Sequence, residues 1–117
     1  MDNQQIEQKI QSKELTAPRV TPQDIEANIT SEHYFTAAEA LRCDYPPAMP
    51  KTVSQPLELL TFCVLVLRNG FAVTGESACV SRENFDAEKG RKIARDNAID
   101  KVWPLMGYEL KSKLADQ

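Results

Sequence analysis

Residues 59–80 read LLTFCVLVLRNGFAVTGESACV, and this stretch decides the fold. Residues 59–67 are dense in apolar, β-prone side chains, Asn69-Gly70 interrupts them, and residues 71–80 resume the β-prone pattern. Asn-Gly between two such runs is the strongest short hairpin signal, because a two-residue type I′ turn needs φ > 0 at both central positions. With Asn69 and Gly70 central, Val66 stands opposite Val73, Val64 opposite Gly75, Phe62 opposite Ser77 and Leu60 opposite Cys79. Side chains alternate across a sheet, so Thr61, Cys63, Leu65 and Leu67 share the other face with Ala72, Thr74, Glu76 and Ala78. In this register Cys63 and Cys79 point to opposite faces and cannot pair without a slip. The first strand is apolar on both faces. One face takes a helix. The second needs another cover: the helix around Ile25, the N-terminal arm, or a second copy of the chain.

Downstream the pattern turns helical. Asn84 is the expected N-cap, with Asp86 and Glu88 in the first turn, where the helix dipole favours negative charge. Ala94, Ala98, Val102 and Leu105 repeat near 3.6 residues, joined by Ile93 and Met106. Pro104 is expected to kink or end this helix near Val102 or Trp103, with a last turn or two through Leu110 and Leu114. Upstream, Thr21-Pro22-Gln23-Asp24 reads as a helix start: Thr21 as N-cap, Pro22 at the first helical position, Asp24 in the first turn. Ile25 and Ile29 lie on one face of this short helix, residues 22–29. Residues 31–36 contain Tyr34 and Phe35 and read as a short strand, followed by one helical turn over 37–42. Residues 43–56 hold four prolines (Pro46, Pro47, Pro50, Pro56), which predicts a surface loop. Residues 1–20 read as a mobile arm and 21–117 as a single α+β domain. The element order is α-β-β-β-α, an antiparallel sheet with a central hairpin packed against a long C-terminal helix.

Composition narrows the function classes. Of 117 residues, 14 are Lys or Arg and 17 are Asp or Glu, a net charge of −3. That argues against coating nucleic acid through bulk charge, but leaves room for a local basic patch. Hydrophobic residues make up 42%, too apolar for a disordered chain. No apolar run approaches the ~18 residues of a membrane span, and residues 1–14 are polar rather than signal-like. Together these predict a small soluble intracellular protein. Cys43, Cys63 and Cys79 have no CxxC spacing, and His33 is the only imidazole. A zinc site wants four Cys or His ligands, so neither metal nor other cofactor is expected, and the cysteines read as reduced structural residues. A nucleophilic cysteine needs a base or a positive local field; nothing in the spacing supplies one, and no catalytic residue is assigned.

The segments NGFAVTGESACV, ENFDAEKGRKIARDNAIDKVWPLMGY and PRVTPQDIEANITSEHYFTA cover most of the chain. They resemble a family of small tailed-phage and prophage proteins named after gene product 49 of one phage and gene 66 of another. The resemblance implies a phage or prophage gene and carries over no function and no catalytic residues; an accessory role in the bacterial host cytoplasm is the expectation set beside it. The α-β-β-β-α order is also similar to a double-stranded-RNA-binding domain. Such domains open the last helix with a basic KKxAK patch, and Arg91, Lys92, Ala94 and Arg95 stand at the matching spacing. Lys89, Arg91, Lys92 and Arg95 are therefore the candidate phosphate contacts; the alternative is a solvated helix face with intrahelical ion pairs. Leu65 and Leu67 on the central strand, with Tyr108 on the last helix, are the candidate interface residues. The favoured expectation is a non-catalytic, homodimeric module that binds a host or phage protein. The alternative is a nucleic-acid-binding module. No membrane partner is expected.

Overall fold

The computed structural model describes Gln5, residues 17–44 and residues 55–117. Most of the arm expected over 1–20 and most of the loop expected over 43–56 lie outside the described residues. The first described elements are α1 (Pro22–Asn28), β1 (Ile29–Thr36) and α2 (Ala37–Asp44). After α3 (Gln55–Glu58) come β2 (Leu60–Leu67), β3 (Ala72–Ala78), a 3-10 turn (Arg82–Asn84) and α4 (Ala87–Ala115). The three strands form one antiparallel sheet in the order β1-β2-β3. The expected α+β order is thus the observed one.

Local chemistry sets the helix starts. Asp24 N–H donates to Thr21 Oγ1 (3.1 Å) and Thr21 N–H donates to Asp24 Oδ2 (2.9 Å), a reciprocal cap ahead of α1. Thr36 and Glu39 repeat the device at α2: Glu39 N–H donates to Thr36 Oγ1 (3.1 Å), and Thr36 N–H returns to Glu39 Oε1 (3.3 Å). Pro56 sits inside the single turn of α3, near a helix start, where a missing N–H costs nothing.

The hairpin differs from expectation by one residue. Gly70 N–H donates to the Leu67 carbonyl and Leu67 N–H to the Phe71 carbonyl, both at 2.9 Å. Arg68, Asn69 and Gly70 therefore form a three-residue loop, and Gly70 (φ +88°) occupies the left-handed position such a loop reserves for glycine. Asn69 Oδ1 accepts from Phe71 N–H (2.9 Å) and holds the turn shut. The register becomes Val66 opposite Ala72, Leu65 opposite Val73, Cys63 opposite Gly75 and Phe62 opposite Glu76. A slip of one residue exchanges the faces of a strand, so Val73 and Gly75 join Cys63 and Leu65 beneath the helix, while Glu76 faces outward. Cys79 moves to the Cys63 side as well. It lies beyond the end of β3, with its N–H on the Leu59 carbonyl (3.0 Å) and its Sγ donating to the Ser81 carbonyl (3.1 Å), and all three cysteines are free.

The last helix also departs from expectation at both points. Its N-cap is Asp86, whose Oδ1 accepts from Glu88 N–H (3.0 Å) and Lys89 N–H (3.2 Å), and Asn84 belongs to the preceding 3-10 turn. The helix then runs 29 residues without a break through Pro104 and Gly107, about 44 Å at 1.5 Å per residue. Pro104 removes the donor for the Asp100 carbonyl. Asp100 and Pro104 are both exposed, so no buried acceptor is stranded and the helix continues.

Both α1 and α4 cover the same face of the sheet. The core joins Ile25 of α1, Cys63, Leu65 and Leu67 of β2, Val73 of β3 and Ala94, Ala98, Ile99 and Val102 of α4, with Val20, Trp103 and Met106 packed against it. At its centre the backbones touch. A Cβ built on Gly75 would overlap the Ala94 carbonyl oxygen and the Ala98 backbone, and one on Gly90 would come within 3.1 Å of Thr61 Oγ1. Gly75→Val is expected to destabilise the protein by about 1–3 kcal/mol or more, the range for overpacking a close contact. A urea unfolding midpoint unchanged from the parent would contradict this packing.

Candidate functional site

The structure separates the four candidate cations. Arg95 lies one turn beyond Arg91 on α4 and turns toward α1 and β1. Its Nη1 and Nη2 make a two-pronged contact with Glu26 of α1 (3.0 and 2.7 Å), and its Nε donates to Glu32 of β1 (3.0 Å). Its side chain is only 24% exposed. Hydrogen bonds to Glu26 and then Glu32 push the guanidinium pKa further up, and the Arg95 hydrogen bond holds the Glu26 carboxyl below its ordinary range. All three guanidinium nitrogens are occupied by carboxylates of the same chain, which removes Arg95 from the expected phosphate patch. Bidentate pairs of this kind also fix geometry, and this one ties three elements together.

The network continues into the sheet. Tyr34 donates its hydroxyl to Glu32 Oε1 (3.1 Å), and Tyr34 stands opposite Cys63 in the β1–β2 ladder. Burial, followed by the hydrogen bond to Glu32, pushes the Tyr34 phenol up to about 12. Burial also raises the Cys63 thiol, with the Tyr34 hydroxyl pulling the other way. Cys63 is fully buried. A shielded thiol held in its neutral form is a core residue, not a nucleophile. The chain from Cys63 through Tyr34, Glu32 and Arg95 to Glu26 acts as a clamp.

The other candidate residues are placed as follows. Lys89, Arg91 and Lys92 are exposed. Lys92 pairs with Asp96 one turn on (3.3 Å), an ion pair of the solvated kind. Arg91 borders a recess of about 170 Å³ that it shares with Tyr34, Thr36, Glu39 and Phe85. Leu65 (0% exposed) and Leu67 (4%) are buried in the core under α4 and α1, so in this fold they are not available to a second chain. Tyr108 is exposed on α4. Among the described residues no group of three His, Cys, Asp or Glu side chains is arranged to hold a metal, and no helix is long and apolar enough to cross a membrane.

Among the described residues, the opposite face of the sheet is the less covered one. Along β2, Thr61, Cys63, Leu65 and Leu67 are buried, while Leu60, Phe62, Val64 and Val66 are only half-buried. Phe35 stacks on Phe62 with ring centroids 5.5 Å apart. His33 and Ser31 flank this row on β1, and Ala72, Thr74, Glu76 and Ala78 flank it on β3. Sequence reasoning anticipated a second face needing cover but assigned the wrong residues of β2 to it.

A family model for the Phage protein (N4 Gp49/phage Sf6 gene 66) family matches residues 20–114. The chain belongs to that phage protein family. The match runs from ahead of α1 to the penultimate residue of α4 and includes the clamp residues Glu26, Glu32 and Arg95. No curated protein and no solved structure matches the chain.

The clamp has a pH signature. A carboxyl whose folded pKa is depressed contributes stability that is present above its ordinary pKa and is lost as pH falls through the folded value. Stability is expected to decline on acidification as Glu26 takes up a proton. Arg95→Met is expected to lower stability at neutral pH and to flatten the acid decline, read by denaturant unfolding from neutral to about pH 2. An acid limb identical in the two proteins would contradict the clamp.

Proposed function

We propose that this phage family member is a non-catalytic accessory protein that works in the host cytoplasm by binding protein, and that it pairs with a second copy of itself through the half-open face of the sheet. The observation that carries this reading is the row Leu60, Phe62, Val64 and Val66 on the central strand, backed by the Phe35–Phe62 stack. The four side chains are half-buried rather than exposed, and a contiguous apolar row of this kind supports a docking surface where scattered single residues would not. The flanks support self-pairing. His33 stands beside Val64 on one edge strand, and Glu76 stands beside Phe62 on the other. A two-fold axis parallel to β2 and midway between two stacked sheets lays β1 of each copy over β3 of the other. That arrangement sets each His33 over the opposing Thr74, one same-face position from Glu76, while the apolar rows meet at the centre.

The reading that binds nucleic acid at Lys89, Arg91 and Lys92 is weaker, because Arg95 is committed to Glu26 and Glu32 and acidic Asp86, Glu88 and Asp96 flank the remainder. It predicts duplex binding that falls steeply with salt and is abolished by replacing those three cations together.

The homodimer is tested by sedimentation at micromolar concentration. The parent protein is expected to be dimeric and Val64→Asp monomeric with an unchanged circular dichroism spectrum. A monodisperse parent monomer overturns the self-pairing.

A further inference from the structure

A second surface lies at the edge of the sheet. Between β3 and α4 runs a groove of about 600 Å³, walled by Phe71, Ala72 and Thr74 on one side and Pro104, Leu105 and Tyr108 on the other. Three large apolar side chains are exposed along it: Phe71 (55%), Leu105 (42%) and Tyr108 (78%). The groove is open to solvent and its walls are mostly apolar, with a few polar groups set among them.

The strand wall carries free backbone groups. β3 is an edge strand. The bonds from Leu67 N–H to the Phe71 carbonyl and from Cys79 N–H to the Leu59 carbonyl show that odd-numbered residues of this strand direct their backbone to β2. In an antiparallel ladder the alternate residues direct theirs outward, here Ala72, Thr74, Glu76 and Ala78. The helix already serves one of them: Asn97 Nδ2 donates to the Glu76 carbonyl at 2.8 Å. Asn97 therefore blunts the edge at Glu76, as edge strands are commonly protected. Toward the hairpin that cover ends. Ala72 and Thr74 each present one N–H and one C=O to the groove beside Pro104, Leu105 and Tyr108. The helical wall adds an acceptor at the same place, since Pro104 deprives the Asp100 carbonyl of its helical donor and Asp100 also lines the groove.

We propose that this groove binds an extended peptide segment of a partner protein, which adds as a fourth strand along Ala72–Thr74 and inserts alternate apolar side chains between β3 and α4. This is strand addition, in which main-chain hydrogen bonds give affinity and pockets for alternate residues give specificity. An extended segment suits the site better than a second copy of the chain. Lys101 also lines the groove; a copy entering edge to edge would bring its own α4, and with it a second Lys101, to the same side, whereas a peptide brings no helix. The proposal rests on the reading of this protein as one that binds protein, but on a surface distinct from the half-open sheet face.

The test pans a displayed library of random dodecapeptides against the full-length protein and measures the enriched peptides by calorimetry. Enriched peptides are expected to carry apolar residues at alternate positions. Methylating their alternate backbone amides is expected to weaken binding at least tenfold in one register and little in the other. Thr74→Pro, which deletes an outward N–H at an edge position where proline is tolerated, and Leu105→Asp, on an exposed helix position, are each expected to weaken binding at least tenfold. Val64→Asp is expected to leave peptide binding intact even as it disrupts the dimer. Failure to enrich any peptide overturns the proposal, as does binding indifferent to both Thr74→Pro and Leu105→Asp. Protection of the Ala72 and Thr74 amides from hydrogen exchange without peptide assigns the edge to a second copy and also overturns it. Peptide binding abolished by Val64→Asp moves the site to the sheet face, which ends this proposal while leaving the protein-binding reading standing.

Discussion

The structure depends on the absence of a side chain at Gly75. A helix normally rests about 10 Å from a sheet because side chains fill the gap. Here Gly75 has none, and Ala94 and Ala98 present only methyl groups, so the backbone of α4 descends onto β3. Gly90 does the same over Thr61 one turn earlier. This descent places Val102, Ile99 and Leu65 in a buried core with few large residues. It also brings Asn97 close enough to the strand edge to bond the Glu76 carbonyl. The groove toward the hairpin exists because that intimacy ends where the larger side chains of the helix begin.

A second constraint fixes the helix laterally. Arg95 reaches Glu26 and Glu32 on two different elements and so ties α4 to both. Glu58 plays a comparable part at the far end of β2, receiving Arg42 of α2 (2.7 Å) and Arg82 of the 3-10 turn (3.3 Å). Exposed ion pairs of this kind contribute little energy. Their value lies in orientation, and for Arg95 partial burial and bidentate geometry strengthen it.

Much of the fold was legible in local sequence. Asn69-Gly70 announced the hairpin, Thr21-Pro22 the first helix and the Ala94–Ala98–Val102 period the last. The turn type was not legible, since Asn-Gly serves both a two-residue loop and a three-residue loop with the glycine left-handed. Choosing the wrong one reversed the faces of β3 and hid the role of Gly75. Pro104 misled for a different reason: a proline ends a helix when a buried carbonyl is stranded, and here the orphaned carbonyl belongs to an exposed residue. The candidate site was least legible. Arg91, Lys92 and Arg95 look alike in a string of residues, and the carboxylates that claim Arg95 lie 69 and 63 positions away.

The sequence by itself determined the element order, the hairpin, the start of the first helix and the membership of a phage protein family, because caps, turns and apolar periods act over a few residues. The tertiary structure decided which face of β2 is core and which is surface, which cation is a clamp and which are solvated, and where a strand edge is left open beside a helix. Those outcomes turn on contacts between residues distant in the chain, whose geometry is set only when α4 settles on Gly75.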